Sequence, residues 1–216
     1  MDDSPSHPLI LLLHGFPELS FSYRHILPSL SSLGHHVVAP DQRGAGRTTG
    51  HDTRSFSAVD LHTTTISRLV TDMVLLVHAL GHKDVACVIG HDFGAVIAGW
   101  CGVMRPDLFK SSPPPSNTTE PTSPPRKPPP TSPPSSAAYF YLKSGHWSGN
   151  TPHPLPSFSA TELQHLPPYY IMPLHSSMRE VIQTHMRPIP PSSLTQLETW
   201  LPDSDLAVYA SEYART

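Results

Sequence analysis

The hydrophobic pattern of the first half switches between two periods. Leu9–Leu13, LILLL, is an unbroken apolar run of strand length and predicts a strand buried on both faces, as in a parallel sheet. Tyr23–Leu33 is helical in pattern, with Pro28 acceptable only in a first turn or at a kink. His35–Pro40, HHVVAP, predicts a second buried strand that Pro40 stops. Ile66, Leu69, Val70, Met73, Val74, Val77 and Leu80 recur at helical spacing, and Gly81 follows as a stop. Asp84–Ile89 predicts a third strand, and Gly94–Met104 a helix closed by Arg105-Pro106. Strands alternating with helices imply an α/β fold, a parallel sheet with right-handed crossovers and flanking helices.

After Lys110 the texture changes. Ser111–Ser136 reads SSPPPSNTTEPTSPPRKPPPTSPPSS, with no Val, Ile, Leu or aromatic residue. Such a stretch cannot build a core and predicts an extended, partly polyproline II, disordered linker. From Ala137 onward YFYLKSGHW, LPPYYIMPLHSSMREVI and TWLPDSDLAVYASEYA predict helices and loops without a strand. The expected organisation is a partial α/β core over 1–110, a linker over 111–136 and a helical region over 137–216.

Composition narrows the function classes. A formal charge of −3 gives no electrostatic reason to expect nucleic acid or an anionic membrane as partner. Cys87 and Cys101 lie in an apolar strand and an apolar helix, which predicts buried free thiols. MDDSPSHP lacks a secretory pattern, and LILLL is too short to span a bilayer, so the expected location is the cytoplasm. The 15 histidines include no H-E-x-x-H spacing, and the expectation is no metal and no cofactor.

The candidate chemistry lies in Val88–Val96, VIGHDFGAV. A buried strand runs into Gly90-His91-Asp92-Phe93-Gly94, and an apolar helix leaves it. This is the layout of a nucleophile elbow, G-x-S-x-G, with aspartate in place of serine. HGFP, His14–Pro17, follows the first strand, and DQRGAGRT, Asp41–Thr48, follows the second. All three motifs fall at carboxyl ends of parallel strands, where open α/β sheets place their sites.

HGFPELSFSYR, VVAPDQRGAGRT and GHDFGAVIAGW make the first 110 residues resemble the α/β-hydrolase superfamily and, within it, the epoxide hydrolases. The resemblance implies that Asp92 is the nucleophile and that the backbone N–H groups of Phe16 and Phe93 form an oxyanion hole. His14, Gly15, Pro17, Gly90, His91 and Gly94 then support the elbow, with His14 and His91 structural and without acid partners. A carboxyl of ordinary pKa, about 4, is ionised at pH 7 and can open a strained epoxide without first losing a proton. The implied reaction takes a small-molecule epoxide to a vicinal diol through an alkyl ester on Asp92. A dehalogenase of the same fold is the alternative. It is disfavoured because Phe16 and Phe93 offer a departing halide only ring edges.

Parts of 137–216 resemble the helical cap of one epoxide-hydrolase subgroup, but the resemblance fails between Phe109 and Ala137. The abrupt change of composition there points to a frameshift or a mis-joined exon; a genuine insertion is the alternative and would also have to delete a strand. The family's acid–histidine pair and its two cap tyrosines have no counterpart in the motifs, so the chain is expected to be truncated and catalytically incomplete. Glu180 with His185 has the right order for a charge relay but reads as surface helix, and Tyr169 and Tyr170 read as cap packing. Arg43 and Arg47 read as loop-stabilising. A non-catalytic alternative is a ligand for an SH3-type domain at Lys127-x-x-Pro130-x-x-Pro133.

Overall fold

The computed structural model describes residues 6–52, 54, 58–110, 133–151, 154–157, 159–167, 169–171, 173, 175–186, 195 and 197–214, with side chains in the helix at 133 described from 137 and in the helix ending at 186 described to 185. The chain divides into two compact units, one reaching Pro121 and one spanning Thr122–Ala214.

In the first unit, β1 (Leu9–Leu13) is the middle strand of a parallel sheet ordered β2-β1-β3, with β2 at His36–Val38 and β3 at Cys87–Gly90. All five residues of β1 are buried, as its unbroken apolar run demands. Alternate side chains serve opposite faces. Leu9, Leu11 and Leu13 pack with Val70, Met73 and Val77 of α2 (Ile66–Ala79) and with Ile97, Ala98 and Cys101 of α3 (Phe93–Met104). Ile10 and Leu12 pack with Tyr23 and with Leu27 and Leu30 of α1 (Leu27–Ser32). The sheet is therefore covered by helices on both faces, the arrangement parallel strands require.

Local chemistry sets the element ends. Gly81 stops α2 at φ 77°, with its N–H bonded to His78 O at 3.0 Å and the N–H of His82 bonded to Val77 O at 3.1 Å. That is the paired closure a left-handed glycine allows. The helix expected over Tyr23–Leu33 is instead a 3₁₀ turn at Ser20–Tyr23 followed by α1, with Pro28 in the first turn of α1, where its missing N–H costs nothing. After α3, Val85 and Phe109 form a single parallel bridge beside β3.

In the second unit, α4 (Pro133–Lys143) packs with α6 (Met178–Met186) and with α7 (Asp203–Tyr213), and a short α5 spans Ala160–Leu163. Its core gathers Ala138, Tyr139, Leu142, Tyr169, Met178 and Ile182, with Trp147 against them. α4 begins at Pro133, within the stretch expected as linker; prolines can occupy its first turn because that turn needs no N–H donors. Residues 111–132 of the expected linker lie outside the described residues. No helix among the described residues is long and apolar enough to cross a membrane.

Candidate active site

The strand order places β2 and β3 on opposite sides of β1, so the connections leave β1 in opposite senses. The crevice at the carboxyl ends of β1 and β3 is the switch point of the sheet. His14–Pro17 leaves β1 there, and His91-Asp92 leaves β3 there.

Asp92 sits at the N-terminal end of α3 with φ 55° and ψ −123°, the only non-glycine with positive φ among the described residues. Holding it there costs of order 1–3 kcal/mol, about what sharp functional turns store. Glycines make room for the turn. A Cβ on Gly90 would lie 2.1 Å from Gly94 O, and one on Gly94 would lie 2.0 Å from Leu13 O. The turn is pinned by His91 N–H to Leu13 O at 3.1 Å and by Ala95 N–H to Asp92 O at 3.0 Å.

The Asp92 side chain is exposed, and its Oδ1 accepts the backbone N–H of Phe16 at 3.1 Å, across 76 residues of sequence. Phe93 opens α3, so its N–H is among those a helix leaves without an internal partner. The Phe16-Pro17 peptide bond is cis.

His14 is buried and fully bonded. Its Nε2 accepts the backbone N–H of Gln42 at 3.0 Å, so Nδ1 carries the proton and donates to Gly15 O at 2.8 Å. The Gln42 side-chain amide donates to His14 O, while its Oε1 is buried without a partner. A buried orphan oxygen of this kind costs about 1–3 kcal/mol. Tyr23 is buried as well and donates to Leu13 O at 2.8 Å. Burial first, and then the charge of Glu18, push its phenol up to about 12.

The DQRGAGRT loop is held by its own aspartate. Asp41 accepts from Ser20 N–H at 2.8 Å and Arg47 N–H at 3.0 Å. Partial burial pushes its carboxyl up, but these bonds outweigh it and leave Asp41 below the usual carboxylate value. Arg43 pairs with Asp72 of α2 through two bonds, at 2.8 and 2.5 Å. A hollow of about 230 Å³ beside this pair is lined by Asp41, Thr48 and Leu75, among others, and includes neither Asp92 nor Phe16.

A family model for the alpha/beta hydrolase fold matches residues 8–112, which include β1–β3, α1–α3 and the elbow. This unit takes the alpha/beta hydrolase fold. Over 103 residues the chain is 40% identical to epoxide hydrolase A of Mycobacterium tuberculosis, covering 48% of this chain and 30% of that protein. Over 104 residues it is 43% identical to epoxide hydrolase 3 of Siraitia grosvenorii, again covering 48% and 30%. The matched stretch thus spans less than a third of these curated relatives. Among solved structures, an epoxide hydrolase from an endophytic Streptomyces aligns with a TM-score of 0.60 at 27% identity, covering 97% of this chain and 62% of that one. A Vigna radiata epoxide hydrolase aligns with a TM-score of 0.55 at 27% identity, covering 99% and 62%.

The structure corrects one expectation at the elbow. His91 does have an acid partner, Glu18, with Nδ1 and Oε2 3.0 Å apart. Glu18 carried no role in the sequence reading, although it directly follows HGFP; only the fold brings it to His91. Gln42 was missed in the same way. Arg43 ties its loop to α2 through the Asp72 pair, as expected of a loop-stabilising residue, and Arg47 contributes its backbone N–H to Asp41.

In the second unit Glu180 is engaged at the start of α6. Its carboxylate accepts from Ser177 N–H at 2.7 Å and Ser177 Oγ at 2.8 Å, while Glu180 N–H reaches Ser177 Oγ at 3.3 Å. This capping box leaves Glu180 a structural task, and His185 instead packs edge-on to Trp147. Tyr169 is buried, donates to Asn150 Oδ1 at 2.5 Å and has its phenol pushed up to about 12, chiefly by burial. Lys127 and Pro130 lie outside the described residues. Pro133 is the first residue of α4, so the third position of the Lys127-x-x-Pro130-x-x-Pro133 pattern is helical instead of polyproline II. Among the described residues no three His, Cys, Asp or Glu side chains converge on a space for a metal ion.

Proposed function

We propose that this chain carries the nucleophilic machinery of an epoxide hydrolase, with Asp92 as the attacking group. The observation that carries the reading is the hydrogen bond from Phe16 N–H to Asp92 Oδ1, made on a strained elbow at the sheet's switch point. With Oδ1 held, Oδ2 is the oxygen left to attack. It forms a C–O bond to one epoxide carbon as the ring C–O bond breaks, and the ring oxygen keeps the electron pair and takes a proton from solvent water. The product is a β-hydroxyalkyl ester of Asp92. Water adding to the ester carbonyl would place negative charge on Oδ1, where the N–H groups of Phe16 and Phe93 stabilise it. One such donor is typically worth about 3 kcal/mol. Collapse of that intermediate releases the diol and restores the carboxylate. Neither Phe16 nor Phe93 has a side-chain N–H to hold a departing halide, which favours an epoxide as substrate. The 40% and 43% identities to proteins named epoxide hydrolases support the same reading.

Cys87 and Cys101 are both free thiols, which suits a reducing compartment and supports a cytoplasmic location. The division into a core over 1–110, a linker over 111–136 and a helical cap over 137–216 belongs to the same proposal.

Ring opening is an addition, so incubation with an aryl epoxide should raise the intact mass by the full mass of the epoxide. Peptide mapping should place it on Asp92, and Asp92→Asn should remove it. The ester is expected to accumulate; diol release that keeps pace with epoxide loss would overturn that expectation while still placing the chemistry on Asp92. Neither adduct nor diol from the folded protein would end the epoxide reading.

A further inference from the structure

The oxyanion donor is only as well aimed as the peptide that carries it. The Phe16 N–H and the Gly15 C=O belong to one planar peptide unit and point in opposite directions across it. Whatever holds Gly15 O therefore also directs the Phe16 N–H. The group that holds it is the His14 ring, through Nδ1–H to Gly15 O at 2.8 Å. Only one tautomer can make that bond, and Gln42 selects it by placing a backbone N–H against Nε2 at 3.0 Å. The Gln42 side-chain amide then binds His14 O, so the preceding peptide is fixed too.

We infer that His14, with its tautomer set by Gln42, is a positioning residue for the Phe16 N–H donor. The inference deepens the reading of Asp92 as nucleophile and rests on it for its catalytic consequence. His14 touches no reacting atom; it acts through the Gly15–Phe16 peptide plane. Its partner Gln42 is buried with Oε1 unpaired, an arrangement that does not serve stability. An apolar side chain of similar length at that position would remove the orphan oxygen and, with it, the amide bond to His14 O, while the backbone N–H that sets the tautomer would stay.

The test compares His14→Phe, His14→Asn and Gln42→Met with the unaltered full chain. Asparagine can still donate to Gly15 O from the Nδ1 position, whereas phenylalanine cannot. With protein in excess over an aryl epoxide, the first-order rate of Asp92 adduct formation should fall about tenfold or more in His14→Phe, by analogy with small misplacements of catalytic groups. His14→Asn should recover part of it. Gln42→Met keeps the backbone N–H on His14 Nε2 and removes only the side-chain bond to His14 O, so it should slow the step less than His14→Phe does. The epoxide concentration dependence should barely move, because the bond matters after binding. Independently of any chemistry, amide hydrogen exchange at Phe16 should quicken in His14→Phe and Gln42→Met relative to Leu11 in the middle of β1. That exchange measurement also covers a His14→Phe protein that folds poorly, because Gln42→Met and His14→Asn keep the comparison open. Unchanged exchange at Phe16 in folded variants overturns the inference. So does an unchanged adduct rate where the parent forms adduct. A parent that forms neither adduct nor diol refutes the epoxide reading alone, and the exchange data still decide the positioning role.

Discussion

Replacing Gly15 by alanine tests the elbow at its tightest point. A Cβ there would lie 2.4 Å from Asp92 Cβ, 2.7 Å from Asp92 Oδ1 and 2.7 Å from His91 O. Ordinary contact begins near 3.4 Å, so the loop after β1 and the turn after β3 must separate by about 1 Å. The Oδ1 contact could be relieved by rotating a side chain. The Cβ and carbonyl contacts cannot, because both atoms ride on backbone pinned by His91 N–H to Leu13 O at 3.1 Å. Overpacking of this kind costs typically about 1–3 kcal/mol. The same displacement pulls Phe16 N–H away from Asp92 Oδ1. A misplacement of about 1 Å at a reacting group is worth roughly 100-fold in rate. Two measurements separate the effects: urea unfolding followed by tryptophan fluorescence, and adduct formation with an aryl epoxide under protein excess. The expected result is a moderate loss of stability with a much larger loss of alkylation rate. Gly15→Ala protein that alkylates at the parent rate with an unchanged urea midpoint would refute the reasoning, because it would mean the two loops are not packed as described.

Two other predictions concern groups away from the elbow. His82 is buried, and its Nε2 lies 2.7 Å from Nδ1 of His36; burial first, and then the neighbouring imidazole, hold its pKa below the ordinary histidine value, with Asp84 opposing. A lowered histidine favours the neutral folded form, so its stabilisation is complete above about pH 6.5 and is lost as pH falls below that value. The urea midpoint should drop between pH 7.5 and 5.5, and His82→Phe should flatten that drop; an equal slope in both proteins would place the titration elsewhere. Tyr169→Phe deletes the donor to Asn150 Oδ1 and should cost about 1 kcal/mol, or roughly 2–4 °C in thermal midpoint. Because Tyr169 belongs to the core of its own unit, adduct formation at Asp92 should be unaffected, and a large fall in that rate would give Tyr169 a role in the chemistry.

What could be read in the sequence is what depends on near neighbours. LILLL had to be buried on both faces, and the spacing of Ile66–Leu80 had to be a helix, because each pattern has one economical solution. The elbow was legible because Gly90 and Gly94 lie within four residues of one another and a strand feeds them. The entry to α1 was harder, since the Ser20–Tyr23 turn and Pro28 break the period that the apolar residues suggest. The start of α4 was hidden because a proline run reads as extended, even where its last members can open a helix. Glu18 with His91 and Gln42 with His14 could not be seen, as the partners stand 73 and 28 residues apart and meet only where β1, β2 and β3 end together.

The bridge between Val85 and Phe109 bears on the outer border of β3. Val85 N–H reaches Leu108 O at 2.8 Å and Lys110 N–H reaches Val85 O at 3.1 Å, so a backbone partner is already seated just before β3 on the side away from β1. Among the described residues no strand continues that pairing along Cys87–Gly90, the strand that runs into the elbow. Its outward N–H and C=O groups are the kind of sheet edge that another stretch of backbone can extend.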